Sequence, residues 1–359
     1  MSTVFGLTDC WTASALGVGN EASECSLHRK HAPGMCMLEG DIPGRGIWFG
    51  KVPGELPEIA EKEWNIRSCR LLKLAVLNMP SLRELVERYG PERVGIVLGA
   101  SNTGIDEAQN YIDSWFGGAF DERFDFSMIE LGTPAAWLKR ELGVKGPAYT
   151  VSTACSSAAK AFSSARRLIA SGICDAVVTG GVDGRCRFAM NGFHALGALS
   201  EGRCRPLAPD RDGINLGEGV ALFAMEKVSG EFGGVKLAGV GESSDAYHAT
   251  APDPEGRGAE ASMRQALADA GLSPCDIDYV NLHGTGTIAN DDMEMKAVGR
   301  VFGDVAAEST KGLTGHCLGA AGAVEAAICW LHVRSGRVKN ALSNSFAFGG
   351  SNASVILSA

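Results

Sequence analysis

The stretch Tyr149–Ala159, YTVSTACSSAA, changes character at Cys155. The residues before the cysteine are β-prone, as in a strand, whereas the small residues from Ser156 to about Ser171 favour a helix. The thiol is therefore predicted at a strand-to-helix turn. A helix N-terminus supplies unpaired N–H groups and partial positive charge, which favour a thiolate and an adjacent oxyanion. Because a cysteine at such a turn can also serve packing alone, the case for chemistry depends on other segments.

Short apolar strands alternate with helical segments on both sides of this turn. Strands are predicted at 94–100, 175–181, 220–225, 235–240, 277–282 and 354–358, and helices at 135–142, 156–171, 259–270 and 318–333. This alternation predicts an α/β fold. A Gly/Ser-rich turn at 229–234 divides the chain into two parts, 1–230 and 231–359, and no close sequence repeat links them.

The composition narrows the class of protein. The 359 residues are 45% hydrophobic, which is enough for a sizeable core. The 11 cysteines form no CxxC pair, so we expect reduced thiols and a cytoplasmic location. The net charge of −9 argues against nucleic-acid binding. The start of the chain does not resemble a signal peptide, and no stretch has the length of a membrane span.

Three further segments place polar residues in predicted loops. The first is NLHGTGT at 281–287, followed by Asp291 and Glu294. The second is KGLTGH at 311–316, and the third is NSFAFGGSN at 344–352. Each alone is better explained by a turn than by catalysis. The two histidines have no Cys or His partner at ligand spacing along the chain, so a zinc site is not expected.

Together the four segments resemble, in order and context, the elongating β-ketoacyl-acyl-carrier-protein synthases of the thiolase-like superfamily. The shared motifs are TACSS, HGTGT with its acidic pair, KxxTGHxLGAAG and NSFxFGGSN, and the resemblance covers most of the chain. It implies two similar halves in a layered α-β-α-β-α architecture with mixed sheets. Residues 1–230 would carry the nucleophilic cysteine, and residues 231–359 would carry both catalytic histidines.

The resemblance implies a decarboxylative Claisen condensation. An acyl group would be held as a thioester and then joined to malonyl carrier protein, in fatty-acid, polyene or polyketide-type chain elongation. Phosphopantetheine would arrive on the carrier protein, so neither a cofactor nor a metal is expected. The residues implied are Cys155, His283 and His316 as catalytic groups; Lys311, Glu294 and Asp291 as support; Phe348 and Phe346 at the oxyanion hole and gate; and Thr285 and Thr287 on the pantetheine arm.

The resemblance also implies partners. An acyl carrier protein is acidic, and Arg67, Arg70 and Lys73 recur at helical spacing, which predicts a docking face for it. A solvated helix face explains the same pattern equally well. We expect a homodimer, with a heterodimer containing a homologous subunit as the alternative.

Several positions depart from the family pattern. Ala347 replaces the glycine before the gating phenylalanine, and Lys160 stands where many members have histidine. Asn102 and Thr103 lie in a segment that resembles the family's tunnel lining and make it polar. A polar lining would suit an unsaturated, aromatic or functionalised acyl chain. The competing interpretation is a non-catalytic chain-length partner of a true synthase. Such partners generally lose the nucleophile, so the presence of Cys155 and both histidines favours an active enzyme.

Overall fold

The computed structural model describes residues 4–119, 121–228 and 232–359, apart from the side chain of Asp113. Its strands are β1 Val4–Ser14, β2 Gly17–Val18, β3 Met35–Ile42, β4 Arg45–Gly50, β5 Val94–Gly99, β6 Ala148–Val151, β7 Ala176–Asp183, β8 Leu216–Gly217, β9 Gly219–Val228, β10 Lys236–Ser244, β11 Tyr279–Asn281, β12 Ala306–Glu308, β13 Asn340–Ala347 and β14 Ser351–Ser358. Its α-helices are α1 Asn20–Arg29, α2 Arg67–Asn78, α3 Ser81–Tyr89, α4 Ile105–Phe116, α5 Thr133–Leu142, α6 Ser157–Ala170, α7 Arg187–Ala195, α8 Arg257–Ala270, α9 Ile288–Phe302, α10 Lys311–Thr314 and α11 Ala321–Arg334.

The main sheet is built from two five-strand units with the same topology. The first unit has the order β6-β5-β7-β9-β1, and the second has the order β12-β11-β13-β14-β10. In each unit the first two pairings in this order are parallel and the last two are antiparallel. The units meet where β1 pairs with β10 at Gly6 and Lys236. The fold therefore contains an internal repeat that the sequence does not reveal.

Helices α6 and α11 lie between the two units and form the central layer. Residues of both helices share one hydrophobic core with inward-facing strand residues such as Val97 and Val355. Because side chains alternate across a strand, Ile96 and Leu98 instead join the core beneath α2, α3 and α5. On the far side, α8 and α9 cover the second unit. The result is the predicted α-β-α-β-α layering.

Most predicted elements are present, with ends shifted by a few residues. The helix predicted at 318–333 divides into a 3₁₀ turn, Leu318–Ala320, and helix α11. The boundary predicted between residues 230 and 231 lies outside the described residues and stays a prediction. Among the helices in the described ranges, none combines the length and apolar character needed to cross a membrane.

Candidate active site

Cys155 lies at the sharp turn between β6 and α6. Ala154, just before it, has a left-handed backbone with φ of 52°, which turns the chain into the helix. The Ser157 hydroxyl fixes this turn by accepting the Thr153 N–H and donating to the Ala154 carbonyl. Gly99 on β5 allows the helix to approach, since a Cβ there would meet the backbone nitrogen of Ala158 at 2.2 Å. The strand-to-helix turn predicted from sequence is therefore present.

The two predicted histidines meet Cys155 from the second half of the fold. His316 Nε2 lies 2.9 Å from Cys155 Sγ. The rings of His283 and His316 are 5.3 Å apart and nearly perpendicular. One ligand-type atom from each of the three residues lies within 4.8 Å of the others, and all three side chains are buried. Cys155 thus forms one cluster with two histidines that lie more than 100 positions further along the chain.

The internal repeat explains where two of these groups lie. Cys155 precedes α6, which connects β6 to β7 in the first unit. His316 precedes α11, which lies between β12 and β13, the corresponding strands of the second unit. Because α6 and α11 pack against each other in the central layer, their N-terminal ends bring the thiol and the imidazole together.

Lys311 contacts His283 and has a partner that sequence analysis missed. Its ammonium lies 3.3 Å from His283 Nδ1 and forms a buried ion pair with Glu325. An ammonium has no acceptor, so Nδ1 accepts and the ring proton of a neutral His283 is on Nε2. The resemblance assigns a supporting role to Glu294, which stays a prediction, whereas the carboxylate beside Lys311 is that of Glu325. Its signal was a single acidic residue within the apolar segment that becomes α11.

Glu294 and Asp291 instead hold the HGTGT loop. Glu294 accepts the backbone N–H groups of His283 and Gly284 at 2.8 and 2.7 Å. Asp291 accepts the N–H groups of Gly286 and Leu207 at 3.2 and 2.9 Å. Both carboxylates are buried on α9. They therefore position the loop that carries His283.

Burial controls the protonation of the cluster. It raises the pKa of Cys155 to about 12, although the Lys311 cation and the backbone N–H of Phe348 oppose the shift. Burial, followed by Lys311, lowers the pKa of both His283 and His316 well below the usual value. The resting pair is therefore a thiol and a neutral imidazole. The thiolate expected from the helix terminus is opposed by desolvation of the sulfur.

His283 and His316 differ in how their tautomers are set. Lys311 fixes His283 with its Nε2–H free to donate. Nδ1 of His316 is buried and has no hydrogen-bond partner within the described residues. Nε2 of His316 can consequently accept the thiol proton at one stage and donate at another. One histidine is a fixed donor and the other can exchange a proton.

The cluster opens onto a cavity of about 220 Å³. Thr285 and Thr287 line it, with their hydroxyls 2.9 Å apart, as do Phe346 and Phe348. The backbone N–H of Phe348 faces Cys155, which fits the oxyanion assignment. The Phe348 ring is 39% exposed and lies 5.6 Å from the Phe193 ring, a contact that sequence analysis missed. Phe346 is buried on β13, 6.2 Å from the His283 ring, and gating by Phe346 or Phe348 stays a prediction.

The predicted docking residues lie on α2 but are engaged within the chain. Arg67 forms an ion pair with the fully buried Glu218. Arg70 and Lys73 each donate to backbone carbonyls of the segment 56–58 at 2.7 Å. Arg67 therefore has an internal structural partner, and docking at this face stays a prediction. Lys160, whose role was open, lies 3.9 Å from Glu242 in an ion pair.

Two family models match the chain. Residues 75–230 match the β-ketoacyl synthase N-terminal domain, and residues 235–344 match the β-ketoacyl synthase C-terminal domain. A 3-oxoacyl-[acyl-carrier-protein] synthase 2 from Rhizobium meliloti strain 1021 is 41% identical over 274 residues, which span 64% of each chain. The protein of the same name from Coxiella burnetii is 33% identical over 322 residues, or 77% of each chain.

A solved structure covers nearly the whole chain. One chain of the ketosynthase (ApeO)–chain length factor (ApeC) complex from Xenorhabdus doucetiae superposes with a TM-score of 0.94. The two chains are 38% identical, and the match covers 99% of this chain and 98% of the other. This similarity confirms the predicted thiolase-like fold class.

Proposed function

The chain belongs to the β-ketoacyl synthase family, and from this premise we propose that it joins an acyl group on Cys155 to a malonyl thioester on a carrier protein with loss of carbon dioxide. The observation that carries the proposal is the buried cluster of one thiol and two imidazoles at the cavity wall. His316 Nε2 is 2.9 Å from the Cys155 sulfur, and His283 is held as a donor by Lys311. This set can both activate a thiol and stabilise an enolate.

In the first half-reaction the Cys155 thiol attacks the carbonyl carbon of an acyl thioester. Its proton passes to His316 Nε2 as the new C–S bond forms. The N–H groups of Cys155 and Phe348 would hold the oxyanion. The C–S bond to the carrier then breaks, and the departing pantetheine sulfur takes the proton from His316. The products are acyl-Cys155 and a free carrier thiol.

In the second half-reaction the two histidines would act on malonyl carrier protein. The ring proton of His316 first moves from Nδ1 to Nε2 by exchange with water, since no partner among the described residues holds Nδ1. The Nε2–H groups of His283 and His316 then donate to the thioester oxygen, so the C–C bond to the carboxylate breaks and an enolate forms with release of carbon dioxide. The enolate carbon attacks the acyl-Cys155 carbonyl, the C–S bond breaks, and the thiolate takes a proton from water. Each such donor is typically worth about 3 kcal/mol in the transition state.

The proposed partners are an acyl carrier protein and a second subunit of the same fold. The structurally similar chain from Xenorhabdus doucetiae belongs to a complex of a ketosynthase with its chain length factor. In this chain, α4 exposes Ile112 by 42% and Phe116 by 83%. Large apolar side chains gathered on one helix are typical of a subunit interface. We therefore favour pairing with a homologous chain, and a homodimer is the alternative result of the same measurement.

A second candidate function is that of a non-catalytic chain-length partner. The similarity to a complex containing a chain length factor is the observation that raises it. Retention of the thiol, both imidazoles and the Lys311–Glu325 pair favours the catalytic assignment. The two functions differ in one property, which is whether this chain itself accepts an acyl group.

The test is reconstitution with acyl and malonyl carrier proteins, with and without a homologous subunit. We expect a β-ketoacyl carrier product and carbon dioxide in equal amounts. Cys155→Ala should abolish the product but leave malonyl decarboxylation, because the histidines remain. His283→Ala should reduce both. A Cys155→Ala complex as active as the wild type would reject this chain as the condensing subunit.

A further inference from the structure

The structure brings together three metal-ligating groups that are widely separated in the sequence. Sγ of Cys155 and one nitrogen each of His283 and His316 lie within 4.8 Å of one another. Tetrahedral zinc with Zn–S near 2.3 Å and Zn–N near 2.0–2.1 Å needs such atoms roughly 3.3–3.6 Å apart. The 2.9 Å separation of Cys155 and His316 would have to open slightly. A pair near the 4.8 Å limit would have to close by about 1.2–1.5 Å, so zinc binding requires side-chain rotations within the cluster.

The surroundings match a three-ligand site with an open fourth position. All three side chains are buried, and all three line the cavity that leads outward from Cys155. Zinc sites that bind water or an exchangeable ligand have this arrangement, with three protein ligands and one vacant corner. A thiolate and two imidazoles also suit zinc better than a hard cation such as magnesium.

Lys311 opposes a metal at this place for two reasons. A metal on Nε2 of His283 requires the ring proton on Nδ1, where the Lys311 ammonium now donates. The ammonium is also a buried positive charge next to one of the three ligands. The contact that fixes His283 as a proton donor therefore also weakens competition by a divalent cation.

We propose that Cys155, His283 and His316 form a latent Zn²⁺ site that blocks acylation of Cys155, and that Lys311 holds its affinity down. Binding forms a Zn–S bond and releases the thiol proton to solvent. A water or a small ligand in the cavity completes the coordination. The inference rests on the cluster geometry rather than on the proposed condensation, so it is tested by metal binding and not by turnover.

The experiment compares the wild type with Lys311→Met/Glu325→Gln, which removes the buried ion pair without leaving one charge alone. Zn²⁺ should protect Cys155 from iodoacetamide in both proteins, with chelator reversing the protection. The half-protecting concentration should be at least tenfold lower in the double variant. Co²⁺ should give a thiolate-to-metal absorption band that disappears in Cys155→Ser.

Exposed thiols supply the control, because Cys25 and Cys275 could bind metal adventitiously. The Co²⁺ band should persist in Cys25→Ser/Cys275→Ser. Folding of each variant is checked by circular dichroism. A band that survives Cys155→Ser, protection absent from the wild type, or equal affinity in the wild type and the double variant would each overturn the proposal.

Discussion

The protonation state of Cys155 leads to the sharpest prediction. Burial raises its pKa from 9.0 to about 12. Below that pKa, each pH unit changes the thiolate fraction tenfold, so a pKa of about 12 instead of 9.0 leaves about a thousandfold less thiolate than an ordinary thiol has at pH 8. The thiolate is the species that reacts with iodoacetamide. Alkylation of Cys155 should therefore be slow and strongly dependent on pH.

The assay follows alkylation of individual cysteines by peptide mass spectrometry at a series of pH values. Cys25 and Cys275 are exposed and serve as reference thiols in the same protein. A free cysteine peptide alkylated in parallel supplies the levelling-off of an ordinary thiol, whose pKa is about 8.5. The Cys155 rate should continue to rise about tenfold per pH unit up to pH 10. Restricted access lowers the alkylation rate of Cys155 at every pH, whereas protonation changes how the rate depends on pH. The slope of the rate against pH therefore reports the protonation of Cys155.

A plateau of the Cys155 rate at low pH would refute a resting state in which Cys155 is protonated. If the rate at Cys155 levels off below pH 8, the resting pair is a thiolate and an imidazolium. The helix N-terminus and Lys311 would then outweigh the desolvation of the sulfur. The proton transfer to His316 proposed for the first half-reaction would already be complete before substrate binds.

Three further predictions concern positions around the cluster. Gly99→Ala should displace α6, and we expect it to lower the free energy of unfolding by about 2 kcal/mol or more and to slow acylation of Cys155. Gly192→Ala is the control, because a Cβ there would meet open space within α7, and it should leave thermal stability unchanged or raise it. Asp183→Asn should lower the free energy of unfolding in urea by about 1–3 kcal/mol, because the new amide would face the Ser101 and Gly319 N–H groups. Asp175→Asn, at an exposed ion pair, should lower it by less than about 1 kcal/mol, and equal losses of stability in the two variants would contradict this prediction. Asn102 is buried, and its Nδ2 has no hydrogen-bond partner in the described part of the chain. Asn102→Leu should therefore shift kcat/KM towards long saturated acyl carriers over polyene-type ones by about tenfold, and an unchanged ratio would remove Asn102 from substrate choice.

Much of the site could be predicted from sequence because its residues lie in short, characteristic loops. Local propensity alone predicts a strand in the β-prone run before Cys155 and a helix in the small residues after it, with a turn between them. His283 and His316 likewise lie in compact Gly-rich segments that end strands or begin helices. Local propensity and motif order together were enough to identify these positions.

The remaining features depend on contacts between distant segments. No motif around Lys311 in the sequence indicates Glu325 as its partner, and Glu294 was chosen because it follows the HGTGT loop that carries His283. The internal repeat is a repeat of strand order and direction, which different side chains can encode. The helical spacing of Arg67 predicted an exposed cation, but the buried Glu218 turns it inward. Burial of Cys155 is also a property of the whole fold rather than of its own turn.

The most direct test of the central claim is mass spectrometry of Cys155 during a two-stage reaction. The protein, with its homologous subunit if one is required, is first incubated with acyl carrier protein and then with malonyl carrier protein. We expect a thioester on Cys155 in the first stage and its disappearance in the second, with a matching amount of β-ketoacyl carrier. Absence of an acyl adduct at Cys155, or an adduct that malonyl carrier protein does not discharge, would contradict the claim.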